Sequence, residues 1–226
     1  MPLRLTFALA VTLPLAAQTP ALDDAFARMD KTAQQFKGVA ADMKRDVYTA
    51  VINDHAMDTG TIKVKREKSR DTRMLIELTS PDAKTVALDG SSVSVYLPKS
   101  KVVQVYDVGA KRGLVDEFLL LGFGAESAEL KEKYDVTLIG TEKLGSADAW
   151  HLELIPKSKE TQQHLKKAEL WIVETTGLPA QQRLVTSSTG DFMLITYSNV
   201  KFNPSLPDGA LKLNLPKGVT VEHPRL

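Results

Sequence analysis

From Leu22 to Phe36 the apolar residues Leu22, Phe26, Met29, Ala33 and Phe36 recur at spacings of four and three, which places them on one face of a helix. Asp23 and Asp24 stand near its beginning, where carboxylates suit the helix dipole, and Gly38 follows as a stop. Beyond Gly38 the period changes to two. Alternation runs through residues 39–51, 59–65, 73–78, 92–97 and 101–108, and resumes over 134–139, 149–154, 168–173, 180–186 and 191–202. Turn residues separate the runs at Asn53-Asp54, Ser80-Pro81-Asp82, Asp89-Gly90 and Pro98-Lys99-Ser100. The pattern predicts about ten antiparallel strands, preceded by one helix and interrupted by another. A loose strand closes the chain at 219–222.

The interruption is residues 113–124. It places Leu114, Val115, Phe118, Leu119, Leu120, Leu121 and Phe123 between glycines, a short and unusually apolar helical segment. It reads either as a core helix or as a movable cover hinged at Gly113, Gly122 and Gly124. Residues 126–133 are polar and favour helix.

Each strand carries one apolar face. Ile62 and Val64 alternate with lysines, Met74, Ile76 and Leu78 with Arg73 and Glu77, and Val93 and Val95 with serines. In the second half of the chain Leu152, Leu154, Leu170 and Ile172 repeat the pattern. A sheet of this length curls, so these faces are expected to line one concave surface. The architecture expected is α+β, an incomplete antiparallel β-barrel with helices over its apolar concave face. Arg66 shares the parity of Ile62 and Val64, so its guanidinium starts from that face and must either bond carbonyls or reach the rim. Lys63, Lys65, Arg66, Lys68, Arg70 and Arg73 make a positive strand-turn-strand, read as a solvated edge that discourages aggregation or as a docking site for an anionic surface.

Charge removes one class of function. With 29 basic and 28 acidic residues among 226, nothing in the balance points to nucleic acid. The start, Met1-Pro2-Leu3-Arg4 followed by an apolar run to Ala17, is ordered like a secretory signal, shorter than the roughly 20 residues of a spanning helix and broken by Pro14. Cleavage near Ala17 is expected, leaving residues 18–226 as a single domain exported to the periplasm as a soluble monomer. The chain has no cysteine, hence no residue for a lipid anchor after the signal and no disulfides, which a core of this size can do without.

No catalytic chemistry is legible. His55, His151, His164 and His223 stand alone without ligands at metal spacing, and read as surface residues. Neither Gly-x-Ser-x-Gly nor a P-loop occurs, and carboxylates are scattered. The expectation is a binding protein, without enzyme activity, metal or cofactor.

The order of features resembles the LolA-type outer-membrane lipoprotein carriers. The residues that carry the resemblance are Gln34-Gln35-Phe36, the strand Gly60-Thr61-Ile62-Lys63-Val64-Lys65-Arg66, Ser80-Pro81-Asp82 leading to Leu88-Asp89-Gly90, and Val95-Tyr96-Leu97-Pro98 with Gln104-Val105. The ending contributes Asn199-Val200-Lys201-Phe202-Asn203 and Leu206-Pro207-Asp208, closed by Leu215-Pro216-Lys217-Gly218-Val219. Glu67 follows Arg66 where the family pattern has proline.

The resemblance implies an apolar half-barrel that holds acyl chains. Its lid would match 113–124, with Leu114, Phe118, Leu119, Leu121 and Phe123 facing the cavity, and Arg66 would bond backbone groups of that lid. It further implies acylated lipoproteins as clients, an inner-membrane ATP-driven releasing complex as donor and an outer-membrane acceptor. Two related roles stay open: carriage of a free lipid or glycolipid, and a lipoprotein-sensing regulator, which would be expected to carry a second domain.

Overall fold

The computed structural model describes residues 19–68, 71–113, 115 and 121–224. The signal-like segment lies outside them. A helix, α1 (Thr19–Gln35), precedes a long meander: β1 (Gly38–Thr49), β2 (Asp54–Lys68), β3 (Asp71–Ser80), β4 (Lys84–Asp89), β5 (Ser92–Leu97) and β6 (Val102–Asp107). A short helix, α2 (Ser127–Lys133), leads into a second meander of β7 (Tyr134–Leu144), β8 (Ala147–Pro156), β9 (Lys167–Val173), β10 (Pro179–Val185) and β11 (Phe192–Phe202). Helix α3 (Lys159–His164) sits between β8 and β9, capped by Ser158 Oγ accepting from the Thr161 amide, and β12 (Thr220–Glu222) ends the chain.

Among the described residues all twelve strands join one open sheet in the order β12-β6-β5-β4-β3-β2-β1-β11-β10-β9-β8-β7. The expected half-barrel of antiparallel strands is therefore present, with β12 alone running parallel, against β6. The two meanders meet where β1 pairs with β11, joining the beginning of the chain to its end.

Register builds the concave face. One ladder runs Val39–Val64–Met74–Leu88–Val93–Tyr106 across β1 to β6, and Ala41–Ile62–Ile76–Val86–Val95 runs beside it. In the other meander Gln182–Leu170–Leu152–Leu138 crosses β10 to β7. The opposite face is charged, with Lys63 on Glu77 at 2.9 Å and Lys167 on Glu153 and Glu169 at 2.8 and 2.7 Å.

Three details depart from the sequence pattern. Helix α1 begins by Thr19, so Asp23 and Asp24 occupy its second turn rather than its N-terminus. Strand β4 was hidden because both its faces are apolar. Ala87 and the neighbouring Leu75 point away from the concavity, where the C-terminal segment covers them with Leu211 and Leu213. His151 is not a surface residue: stacked on Trp171 at 4.2 Å, with Nδ1 2.7 Å from Glu142, its side chain is 12% exposed.

The covered concave face as candidate binding site

Topology dictates what covers the concavity. Strand β6 lies near one end of the sheet and β7 forms the other edge, so residues 108–133 must cross from flank to flank. Of this connection, Val108, Val115, Leu121 and Phe123 pack on the apolar face, beside α1.

Helix α1 is fastened at several points. Asp30 accepts from the Ser127 amide and hydroxyl at 2.6 and 2.7 Å, which ties α1 to the start of α2. At its C-terminal end Asn203, with a left-handed φ of 50°, accepts from the Lys37 amide and donates to the Gln35 carbonyl, both at 2.7 Å. Carbonyls left over at a helix terminus need such partners, and here a residue beyond β11 supplies one.

On the concave face the buried side chains divide into two clusters. In the first, Ala25 and Met29 of α1 and Leu121 pack on Leu138, Leu152, Leu154, Leu170, Ile172 and Leu184, covering β7 to β10. In the second, Phe36, Val108 and Phe123 pack on Ile62, Val64, Met74 and Leu78 of β2 and β3, with Ile76, Val93 and Val115 at its margin. Of the residues read as one lining, Leu152, Leu154, Leu170 and Ile172 thus belong to the α1 core. Ile62, Val64, Met74, Ile76, Leu78 and Val93 lie under the crossover. Val95 shares their face but stands outside both clusters, half-buried opposite Gln104.

Of the lid residues, Leu121 and Phe123 are buried under this arrangement, whereas Leu114, Phe118 and Leu119 lie outside the described residues. Polar contacts hold the described parts of the crossover. Arg66 Nη1 donates to the Gly124 carbonyl at 3.1 Å while its guanidinium carbon sits 5.0 Å above the Phe36 ring. Gly124 has φ +67°, and a Cβ there would come within 2.6 Å of Phe36 Cγ, so only glycine fits between ring and arginine. At the other end Arg112 Nη2 donates to the Thr72 carbonyl at 2.6 Å.

Sequence reasoning missed two groups. Gln182, 2% exposed on an otherwise apolar ladder, donates to the Leu121 carbonyl and accepts from the Tyr197 hydroxyl at 2.8 Å. Tyr197 is also edge-on to Phe123 at 4.9 Å, and burial pushes its phenol above the ordinary tyrosine value. The alternation of β10 contained the signal, since Gln182 falls at an inward position next to Leu184. Arg45 and Asp58, facing strand partners on β1 and β2, form an ion pair that ends the apolar surface. Among the described residues no group of His, Cys, Asp and Glu could hold a metal, and no helix is long and apolar enough to cross a membrane.

The described residues thus form an open half-barrel with one apolar face, a fastened helix over half of it and Val108, Val115 and Phe123 over part of the rest. The profile described as outer membrane lipoprotein carrier protein LolA matches residues 34–214, and the chain belongs to that family. No curated protein matches the chain. It is similar in structure to MucB, with a TM-score of 0.54 and 15% identity over 86% of this chain. It spans 63% of the MucB chain. A conserved protein from Thermus thermophilus gives a TM-score of 0.55 and 13% identity, covering 90% of this chain and 99% of that one. At these identities the likeness is one of fold.

Proposed function

We propose that this protein is a periplasmic carrier that takes the acyl chains of lipoproteins against the β1–β6 half of its concave face. The observation that supports this reading is that the two halves of the apolar face carry different covers. Helix α1 is tied to α2, to Asn203 and to a continuous core. The crossover lies over an uninterrupted apolar ladder, with Arg66 and Gln182 reaching its carbonyls at Gly124 and Leu121.

Burying acyl chains is worth about 0.8 kcal/mol per methylene, so a client with two or three chains does not cross water unaided. A carrier must present a matching apolar surface and hide it when empty. In this reading Phe123 and the crossover occupy the place that acyl chains take in the loaded state. Arg66 and Gln182, which donate to the Gly124 and Leu121 carbonyls, set the closed position. An inner-membrane ATP-driven releasing complex would load the protein and an outer-membrane acceptor would unload it.

The test is native mass spectrometry of the protein purified from periplasm without detergent, followed by extraction of whatever is bound. Acylated lipoproteins support the carrier. Free lipid in their place moves the reading to a lipid shuttle, and an empty chain held by another polypeptide overturns it in favour of a regulator.

A further inference from the structure

A cleft of about 320 Å³ opens at the rim of the half-barrel, between one side of α1, the β9–β10 turn and the end of β11. That volume lies at the lower end of the range for small-molecule sites. Leu178, Val200 and Phe202 give it an apolar floor, and Arg28 and Lys31 stand on its helical wall. The helical wall and the turn are joined by a close contact. Thr32 Oγ1 lies 2.7 Å from the Thr176 carbonyl, and Gly177, at φ +69°, passes so close that a Cβ would sit 2.8 Å from the Arg28 carbonyl.

The charges set this cleft apart. Arg45, Lys63, Lys143 and Lys167 each meet a carboxylate, whereas neither Arg28 nor Lys31 forms an ion pair among the described residues. Among those residues no carboxylate lines the cleft. Asp30, between the two cations in sequence, is turned to Ser127 instead. Unpaired surface cations alone are ordinary, but two of them above an apolar floor match one kind of ligand, an anionic head with a hydrocarbon attached.

We propose that this cleft binds a single-chain anionic amphiphile, with its phosphate or carboxylate between Arg28 and Lys31 and its first carbons on Leu178, Val200 and Phe202. Arginine offers a planar fork for two oxygens of the head, and lysine a mobile point charge. The floor lies at the outer margin of the second cluster, to which Leu178, Val200 and Phe202 belong, but no residue of β2 or β3 lines the cleft, and the proposal does not depend on the carrier reading.

The experiment is calorimetry on the whole protein with dodecyl phosphate below its micellar concentration, beside dodecyl maltoside and inorganic phosphate. Dodecyl phosphate is expected to bind one to one, at least about tenfold tighter than either comparison, and Arg28→Gln/Lys31→Gln to weaken it by about tenfold. Because Arg28 is half-buried, Lys31→Gln, at an exposed residue, is measured alone and is expected to weaken binding about threefold. Amide shifts in the NMR spectrum should centre on Gly177, Leu178 and Val200. Equal binding of dodecyl maltoside, or shifts centred on β2 and β3, overturns the site. Inorganic phosphate matching dodecyl phosphate overturns the amphiphile in favour of a bare anion.

Discussion

Tyr197 donates its buried hydroxyl to Gln182 Oε1 at 2.8 Å, and the other end of the same amide donates to the Leu121 carbonyl. A polar pair on β11 and β10 thereby fixes where the crossover lands on the sheet. The pair also sits between the two apolar clusters, since Leu121 belongs to one, and Tyr197 and Phe123 to the other.

Removing either member leaves a buried polar atom of the other without its partner. Gln182→Leu is expected to cost roughly 2 kcal/mol, because both the Leu121 carbonyl and the Tyr197 hydroxyl lose their partner, and Tyr197→Phe about 1 kcal/mol. Chemical denaturation measures both. Hydrogen exchange should quicken at residues 121–124 in Gln182→Leu before it quickens elsewhere.

Gly124 is pinned between Arg66 and the Phe36 ring. Gly124→Ala combines a left-handed φ with the 2.6 Å approach to Phe36 and is expected to cost more than about 1 kcal/mol. Arg66→Leu removes the bond to the Gly124 carbonyl and, under the carrier reading, traps the crossover in one state and slows release of an acylated lipopeptide. Unchanged release kinetics in Arg66→Leu would remove the arginine from the mechanism.

The division of the concave face gives a mapping experiment. A photo-crosslinking residue at Ile76 or Val93, at the half-buried margin of the second cluster, is expected to capture a triacylated lipopeptide. One at Leu154 or Leu170, sealed under α1, is not. Leu170→Ala should instead cost roughly 3 kcal/mol of stability with lipopeptide affinity kept. Equal capture at all four positions would show that α1 moves as well.

Acid sensitivity has a local source on the charged face. The hydrogen bond from Trp171 holds the Glu142 carboxyl below its ordinary value of 4.5; burial opposes it, and the weaker hydrogen bond from His151 adds to the lowering. Its folded pKa is depressed, so the stability it contributes is full above about 4.5 and is lost as pH falls through the lower folded value. Glu142→Gln is expected to flatten the acid limb of a melting-temperature profile below pH 4.5. An unchanged limb would assign the sensitivity to other carboxylates.

Much of this architecture could be read from residue spacing because its causes are local. The period of two in β2, β3 and β5 forces side chains to alternate, and the parity that aligned Arg66 with Ile62 and Val64 follows from the pleat alone. The spacing of Phe26, Met29 and Ala33 likewise defines a helical face wherever the helix is placed. Tertiary structure decided what no window of sequence contains. Leu75 and Ala87 blurred the pattern of β3 and β4 because their cover comes from Leu211, far along the chain. The concave lining split into an α1 core and a crossover site because β6 and β7 end on opposite flanks, and only that long-range order brings Val108, Val115 and Phe123 over one half. Gln182 gained its meaning the same way. A glutamine at an inward position is a cost by itself, offset here by the Leu121 carbonyl and the Tyr197 hydroxyl that the fold brings to it from 61 and 15 residues away.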